Sequence, residues 1–151
     1  MDAIDDRDDL LKLDNQLCFA LVTAARNVVA VYRPVLEPLG LTHPQYLVML
    51  ALWEQSPRAL GALADELAME PATLSPLVKR LEAQGLVSRG RSADDERRLA
   101  IALTEAGHAL RERALEVPGE IMARTGLDVA QIAALRDALA PFAGRRPVAT
   151  A

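Results

Sequence analysis

Apolar side chains recur at helical spacing over most of the chain, and the places where that spacing changes divide it into elements. From 9 to about 36 the series Leu10, Leu13, Leu17, Leu21, Ala24, Val28, Val31 and Val35 keeps to one stripe, the period of an amphipathic helix. The spacing predicts a single helix roughly 40 Å long at 1.5 Å per residue, capped at its start by Asp8 or Asp9. A helix of that length in a chain of 151 residues needs a partner to cover its stripe. Pro34 and Pro38 kink or end it, and Gly40 closes it. His43-Pro44 then opens a second helix with Tyr46, Leu47, Met49, Leu50 and Trp53 on its buried side, and 55–58 is a turn.

The next stretch carries a more specific pattern. A short helix over 59–68 turns Leu60, Leu63, Ala64 and Leu67 inward, and Met69-Glu70-Pro71 breaks it. A second helix runs through Gln84 with Leu74, Leu77, Val78 and Leu81 on one stripe, and Gly85 ends it. Two short helices joined by a tight turn make a helix-turn-helix. The face opposite the second stripe presents Thr73, Pro76, Lys79 and Arg80, with Ser75 on its flank. Small hydroxyls near the helix start can approach base edges, and basic residues further along reach phosphates. After Gly85 the pattern changes to two short strands, 86–89 and 99–103, around the polar tip 90–98. A basic hairpin after a recognition helix is a wing, and an arginine at its tip suits a narrow minor groove. Thr104 caps a further helix, and helical segments broken near Pro118-Gly119 and Gly126 continue to about Phe142. The fold class is therefore mostly α with a small β-hairpin.

Composition narrows the function without naming it. Half of the residues are apolar and only five are aromatic, which suits long helices with aliphatic faces. One cysteine, Cys18, excludes an internal disulfide framework, and two histidines, His43 and His108, form no metal-ligand spacing. No cofactor or metal is implied. The acidic N-terminus lacks the features of a signal peptide, and no uninterrupted apolar run approaches the 18 residues of a span, so a cytoplasmic protein without a membrane partner is the expectation. The net charge is −4, yet seven basic and seven acidic residues balance between Arg58 and Arg98. DNA affinity depends on local basic surface, so the total decides nothing. Taken alone, the same patterns fit two ordinary packed helices, a solvated hairpin and a cysteine that is a small buried hydrophobe.

The segment LAMEPATLSPLVKRLEAQGLVSRGRSADDERRLAIALTEAG resembles the winged helix-turn-helix of the MarR superfamily of bacterial regulators, with a DERR…I.LT wing signature. LDNQLCFAL and YRPVLEPLGLTHPQYLVMLALWE resemble its organic hydroperoxide sensors, the OhrR-type repressors. The two blocks cover about 13–107. The resemblance implies a repressor, not an enzyme, acting as a homodimer on a pseudo-palindromic operator in double-stranded DNA. Residues 8–42 and 104–143 would dimerise, 43–103 would form the winged helix-turn-helix, and 144–151 would be a disordered tail. Thr73, Ser75, Lys79 and Arg80 would contact DNA from the recognition helix. Arg97 would be the wing arginine, oriented by Asp95, and Arg89, Arg91 and Arg98 would be backbone contacts or structural partners.

The same resemblance makes Cys18 a sensor oxidised by an organic hydroperoxide, with Tyr32 and His43 at the positions where the subgroup's tyrosines support the thiolate. His43 departs from that pattern: an imidazole can still donate a hydrogen bond, and a protonated one would make sensing pH-dependent. The alternative is that His43 is only a helix-start residue and the sensor pocket is retuned or lost. Fourteen residues of one helix separate Cys18 from Tyr32, roughly 21 Å, so Tyr32 must come from the other chain. With no second cysteine, the oxidised sulfur would be capped by a low-molecular-weight thiol or proceed to irreversible oxidation. Two other readings differ in the signal or the class: a regulator released by a small aromatic or lipophilic ligand, with Cys18 incidental, and a thiol peroxidase using Cys18.

Overall fold

The computed structural model describes residues 7–91 and 99–142. Asp95, Arg97 and Arg98 of the expected wing tip, and the expected disordered tail 144–151, lie outside the described residues. Helices α1 (Leu17–Leu36) and α2 (His43–Glu54) are followed by a two-residue strand β1 (Arg58–Ala59), then α3 (Leu60–Glu66) and α4 (Pro71–Ala83). Strands β2 (Val87–Arg91) and β3 (Leu99–Leu103) come next, then α5 (Glu105–Ala114), α6 (Val117–Thr125) and α7 (Val129–Leu139).

The first helix is shorter than its stripe predicts. Asp9–Leu11 and Leu13–Asn15 are separate 3-10 turns, and neither Asp8 nor Asp9 caps a helix with its side chain. The reason lies in two amides. Asn15 Nδ2 donates to the Asp9 carbonyl at 2.6 Å, and Gln16 Nε2 donates to the carbonyls of Leu10 and Lys12. Side chains that hydrogen-bond the preceding backbone offer it an alternative to the helix. As a result Cys18 stands in the first turn of α1 rather than well inside a longer helix. At the other end, α1 accommodates Pro34, passes into a 3-10 turn over Glu37–Leu39, and closes on Gly40 at φ 71°.

Thr42 caps α2. Its hydroxyl accepts from the Gln45 backbone at 3.4 Å while the Gln45 side chain accepts from the Thr42 N–H at 3.0 Å, a reciprocal box that satisfies two orphan donors. The inward face of α2 is Tyr46, Val48, Met49, Ala51 and Leu52. Leu47 and Trp53 are half-buried, and Leu50, expected inside, is exposed. Trp53 completes its packing by donating Nε1–H to the Gly107 carbonyl at 2.9 Å.

Helices α3 and α4 pack on each other through the turn 67–70, in which Ala68 takes a left-handed φ of 53°. Leu63, Ala64, Leu74, Val78 and Leu81 are fully buried beneath them, so the helix-turn-helix is anchored by the face its periodicity marked. Pro71 opens α4 at its first position, where the missing N–H costs nothing. The strands form a three-stranded antiparallel sheet in the order β1-β3-β2 rather than a lone hairpin, with Arg58 opposite Ile101 and Val87 opposite Leu103. Beyond β1 the Ser56 hydroxyl accepts from the Leu103 N–H at 2.9 Å and continues that edge.

Thr104 caps α5 by accepting from the Gly107 N–H at 3.1 Å. A Cβ at Gly107 would collide with the Leu86 carbonyl, so only glycine lets α5 lie this close to the end of the α4–β2 connection. The helix break expected near Pro118 falls at 115–116, with Pro118 in the first turn of α6, and Gly126 closes α6 at φ 72°. Helix α6 packs on α1. Helix α7 has a complete capping box from Asp128 and Gln131 but no buried residue.

The apolar surface left open is extensive. Leu17, Phe19, Val22, Val28 and Val29 of α1 are exposed, as are Val129, Leu135, Leu139 and Phe142 at the C-terminal end. The segment Leu17–Leu39 has a mean hydropathy of 1.2 over 23 residues, long and apolar enough to cross a membrane by length and composition. The expectation that no span exists counted uninterrupted apolar runs, which Arg26 and Asn27 break. A charge at mid-bilayer costs about 3 kcal/mol, so Arg26 argues for a protein-covered stripe.

Candidate nucleic-acid interface and sensor residues

Helix α4 carries Thr73, Lys79 and Arg80 exposed and Ser75 half-exposed, on the side away from Leu74, Val78 and Leu81. Pro76 lies between them on the same exposed face. At the far end of β2 Arg91 is exposed. Among the described residues Lys79, Arg80 and Arg91 have no ion-pair partner, so their charges face solvent. This makes a basic edge running from the recognition helix to the base of the wing, despite the net charge of −4. Such a local concentration of cationic side chains is what binds phosphates.

Two other arginines of the region are engaged within the fold. Arg89 forks onto Glu82 of α4, with Nη2 and Nε 2.9 and 3.1 Å from Oε1 and its backbone N–H 3.2 Å from Oε2. Arg89 therefore fixes the strand β2 against the recognition helix, the structural of the two roles expected for it. The guanidinium holds the Glu82 carboxyl below the usual carboxylate range, and the carboxylate raises Arg89 in turn. Arg58 pairs with Glu66 and donates to the Ala51 carbonyl, tying β1 to α2 and α3. Sequence reading did not pair Glu82 with Arg89. The signal available was only their seven-residue spacing across Gly85, which fixes no geometry until the turn is known.

Cys18 is exposed in the first turn of α1. Tyr32 lies fourteen residues further along the same continuous helix, so roughly 21 Å separates them in one chain. Tyr32 and His43 do meet: their rings stand edge to face with centroids 5.0 Å apart, and Tyr46 adds a third ring 6.0 Å from Tyr32. Beside them an open cleft of about 430 Å³ is lined by Val29, Arg33, Glu37, Gly40, Thr42 and His43, among others. Burial lowers the His43 pKa from its ordinary value, which favours the neutral ring. In the neutral form His43 can donate or accept a hydrogen bond, as expected of an imidazole at this position. Burial, with Tyr32 adding to it, raises the Tyr46 phenol. No cluster of three or more potential metal ligands occurs among the described residues.

Two packed short helices, a basic edge and a strand pair clipped to the second helix define a winged helix-turn-helix regulator of transcription. Residues 30–113 match the family described as "Transcriptional regulator SarA/Rot", and the chain belongs to that family of MarR-type regulators. The organic hydroperoxide resistance transcriptional regulator of Bacillus subtilis (strain 168) is 42% identical over 127 residues, spanning 82% of this chain and 86% of that protein. The solved structure of reduced AbfR bound to DNA, AbfR being a Staphylococcus epidermidis protein, is 32% identical. It matches with a TM-score of 0.75 over 91% of this chain and 96% of that one. CouR from Rhodococcus jostii RHA1, bound to p-coumaroyl-CoA, is 26% identical with a TM-score of 0.73, over 87% and 94% of the two chains.

Proposed function

We propose that the chain is a homodimeric repressor that releases its operator when an organic hydroperoxide oxidises Cys18. Thr73 and Ser75 read base edges in the major groove, Lys79 and Arg80 hold phosphates, and Arg91 sits where the wing leaves the sheet. Arg97, oriented by Asp95, enters the minor groove, and Arg98 contacts the backbone nearby. The observation that carries the reading is the position of Cys18. It is the one cysteine in the chain, exposed in the first turn of α1, amid the open apolar surface of Leu17, Phe19 and Val22. The Tyr32–His43 pair stands at the opposite end of the same helix. Two α1 helices packed antiparallel bring each cysteine to the other chain's pair.

The chemistry needs no cofactor. The Cys18 thiolate attacks the outer oxygen of the hydroperoxide, and the O–O bond breaks. Sulfur is oxidised by two electrons to the sulfenic acid, and the alkoxide leaves and takes up a proton as the alcohol. A low-molecular-weight thiol then condenses with the sulfenic acid, forming a mixed disulfide and releasing water. Tyr32 and His43 of the partner donate hydrogen bonds to the sulfur. Support comes from the name of the Bacillus subtilis relative and from AbfR, whose DNA-bound structures include reduced and overoxidized states.

The test is operator binding before and after cumene hydroperoxide, on wild type and Cys18→Ser. Release by the wild type and retention by the variant is the expected result; release by both removes Cys18 from the mechanism. A second reading, release by an aromatic or lipophilic ligand with Cys18 incidental, is favoured by an open cleft of about 320 Å³ beside Tyr46, Leu50, Trp53 and Arg111. The same assay separates the two, because that reading predicts no response to peroxide. Peroxide consumption sustained with excess thiol would point instead to a peroxidase.

A further inference from the structure

The corner that joins α1 to α2 is strapped to the recognition helix by a chain of side-chain amides. Gln45 is the one buried polar residue among those described, 5% exposed. Its Oε1 accepts from the Thr42 N–H at 3.0 Å, and its Nε2 donates to Gln84 Oε1 at 3.3 Å. Gln84, the residue that ends α4, donates its own Nε2 to the Gly40 carbonyl at 2.6 Å. The order Thr42 N–H, Gln45, Gln84, Gly40 carbonyl is closed and directional, each amide donating with its nitrogen and accepting with its oxygen. Both ends of the chain fall in one four-residue turn, and Gly40, Thr42 and His43 of that turn line the cleft beside Tyr32. A second strap, Arg113 Nη2 to the Pro38 carbonyl at 2.7 Å, ties the same corner to α5.

We infer that Gln84, with Gln45, is the positioning link that transmits movement of the 40–43 turn to the recognition helix. The inference rests on the peroxide reading for the origin of that movement. The mechanics follow from what each contact holds. The apolar face of α4 is fixed in the core by Leu74, Val78 and Leu81, so α4 keeps its fold without Gln84, whose side chain reaches out at the helix end. Core packing is stiff and passes strain on rather than absorbing it. A shift of the Gly40 carbonyl pulls on Gln84 and moves α4 within that apolar seat. Thr73 and Ser75 lie some ten residues away at the opposite end, about 15 Å along the axis. A displacement at the cleft thereby changes the pose of the helix on which bases are read. Gln84 touches neither the sulfur nor DNA in this account.

The experiment measures affinity for a DNA duplex selected from a random pool by the reduced wild type. Reduced and cumene hydroperoxide-treated protein are compared for wild type, Gln84→Ala and Gln84→Glu. The glutamate keeps the acceptor for Gln45 and loses the donor to Gly40, so it cuts the strap with little change of shape. Both variants are expected to bind within about threefold of wild type when reduced, and to lose about tenfold of the oxidised-to-reduced affinity ratio. A purely structural role lowers both affinities together and leaves the ratio intact, and that result overturns the inference. Unchanged ratios with normal binding overturn it as well. A wild-type ratio of one is a different failure: it removes the peroxide reading, and the link with it.

Discussion

Cys18 owes its setting to the residues just before it. The amides of Asn15 and Gln16 turn back onto the preceding carbonyls, and the helix begins at Leu17 in consequence. The hydrophobic period could not reveal that, because Leu10 and Leu13 keep the helical spacing through two 3-10 turns. His43 was legible as a helix-start residue but its protonation was not, since burial against Tyr32 depends on the bend at Gly40. The lowered pKa has a definite consequence. The unfolded chain binds this proton more readily than the folded one, so the neutral ring's contribution is complete above the ordinary value of 6.5. It is lost as pH falls below that value towards the lower folded one. Urea unfolding at about pH 7.5 and about 5.5 is expected to show wild type weakening on acidification and His43→Gln weakening less. Equal weakening would place the sensitivity elsewhere.

At the scale of elements, α4 gathers the groups proposed to meet DNA, and its boundaries were readable because Pro71 and Gly85 punctuate a strong apolar stripe. The span of β3 and the Thr104 cap were equally plain, resting on local chemistry. Strand β1 was not: two residues are too few to display a period of two, and only its pairing with Ile101 and Ala100 makes it a strand. The division of labour among the arginines was also hidden, because it depends on which carboxylate lies opposite. Lys79 and Arg89 illustrate the difference. Lys79 is exposed on α4 without an ion-pair partner among the described residues, so Lys79→Ala is expected to weaken binding of all duplexes about equally. The slope of log affinity against log salt should shrink by about one. Loss confined to one base position would instead make Lys79 a reader of sequence.

The whole molecule, taken as one chain, is incomplete in a specific way. Helix α7 buries nothing, the 3-10 turns before α1 expose Leu10, Leu11 and Leu13, and the outer face of α1 is open at its N-terminal half. Apolar surface on this scale in a monomer marks an interface, and the proposed twofold pairing would cover both of these regions with one operation. The stripe along α1 announced the need for a partner from sequence alone. Where the partner places its cysteine is a property of two chains, which no pattern within one can encode.

The most direct measurement is a cross-link that one chain cannot make with itself. In the Tyr32→Cys variant the two thiols stand roughly 21 Å apart along a single rigid helix, beyond the reach of a short bismaleimide, which spans the length of a tyrosine side chain but not about four turns of helix. With wild type and Cys18→Ser/Tyr32→Cys as controls, the account predicts a covalent dimer from bismaleimide-treated Tyr32→Cys and none from either control. Tyr32→Cys remaining wholly monomeric on a denaturing gel, while both its thiols are alkylated, would contradict a sensor shared between chains.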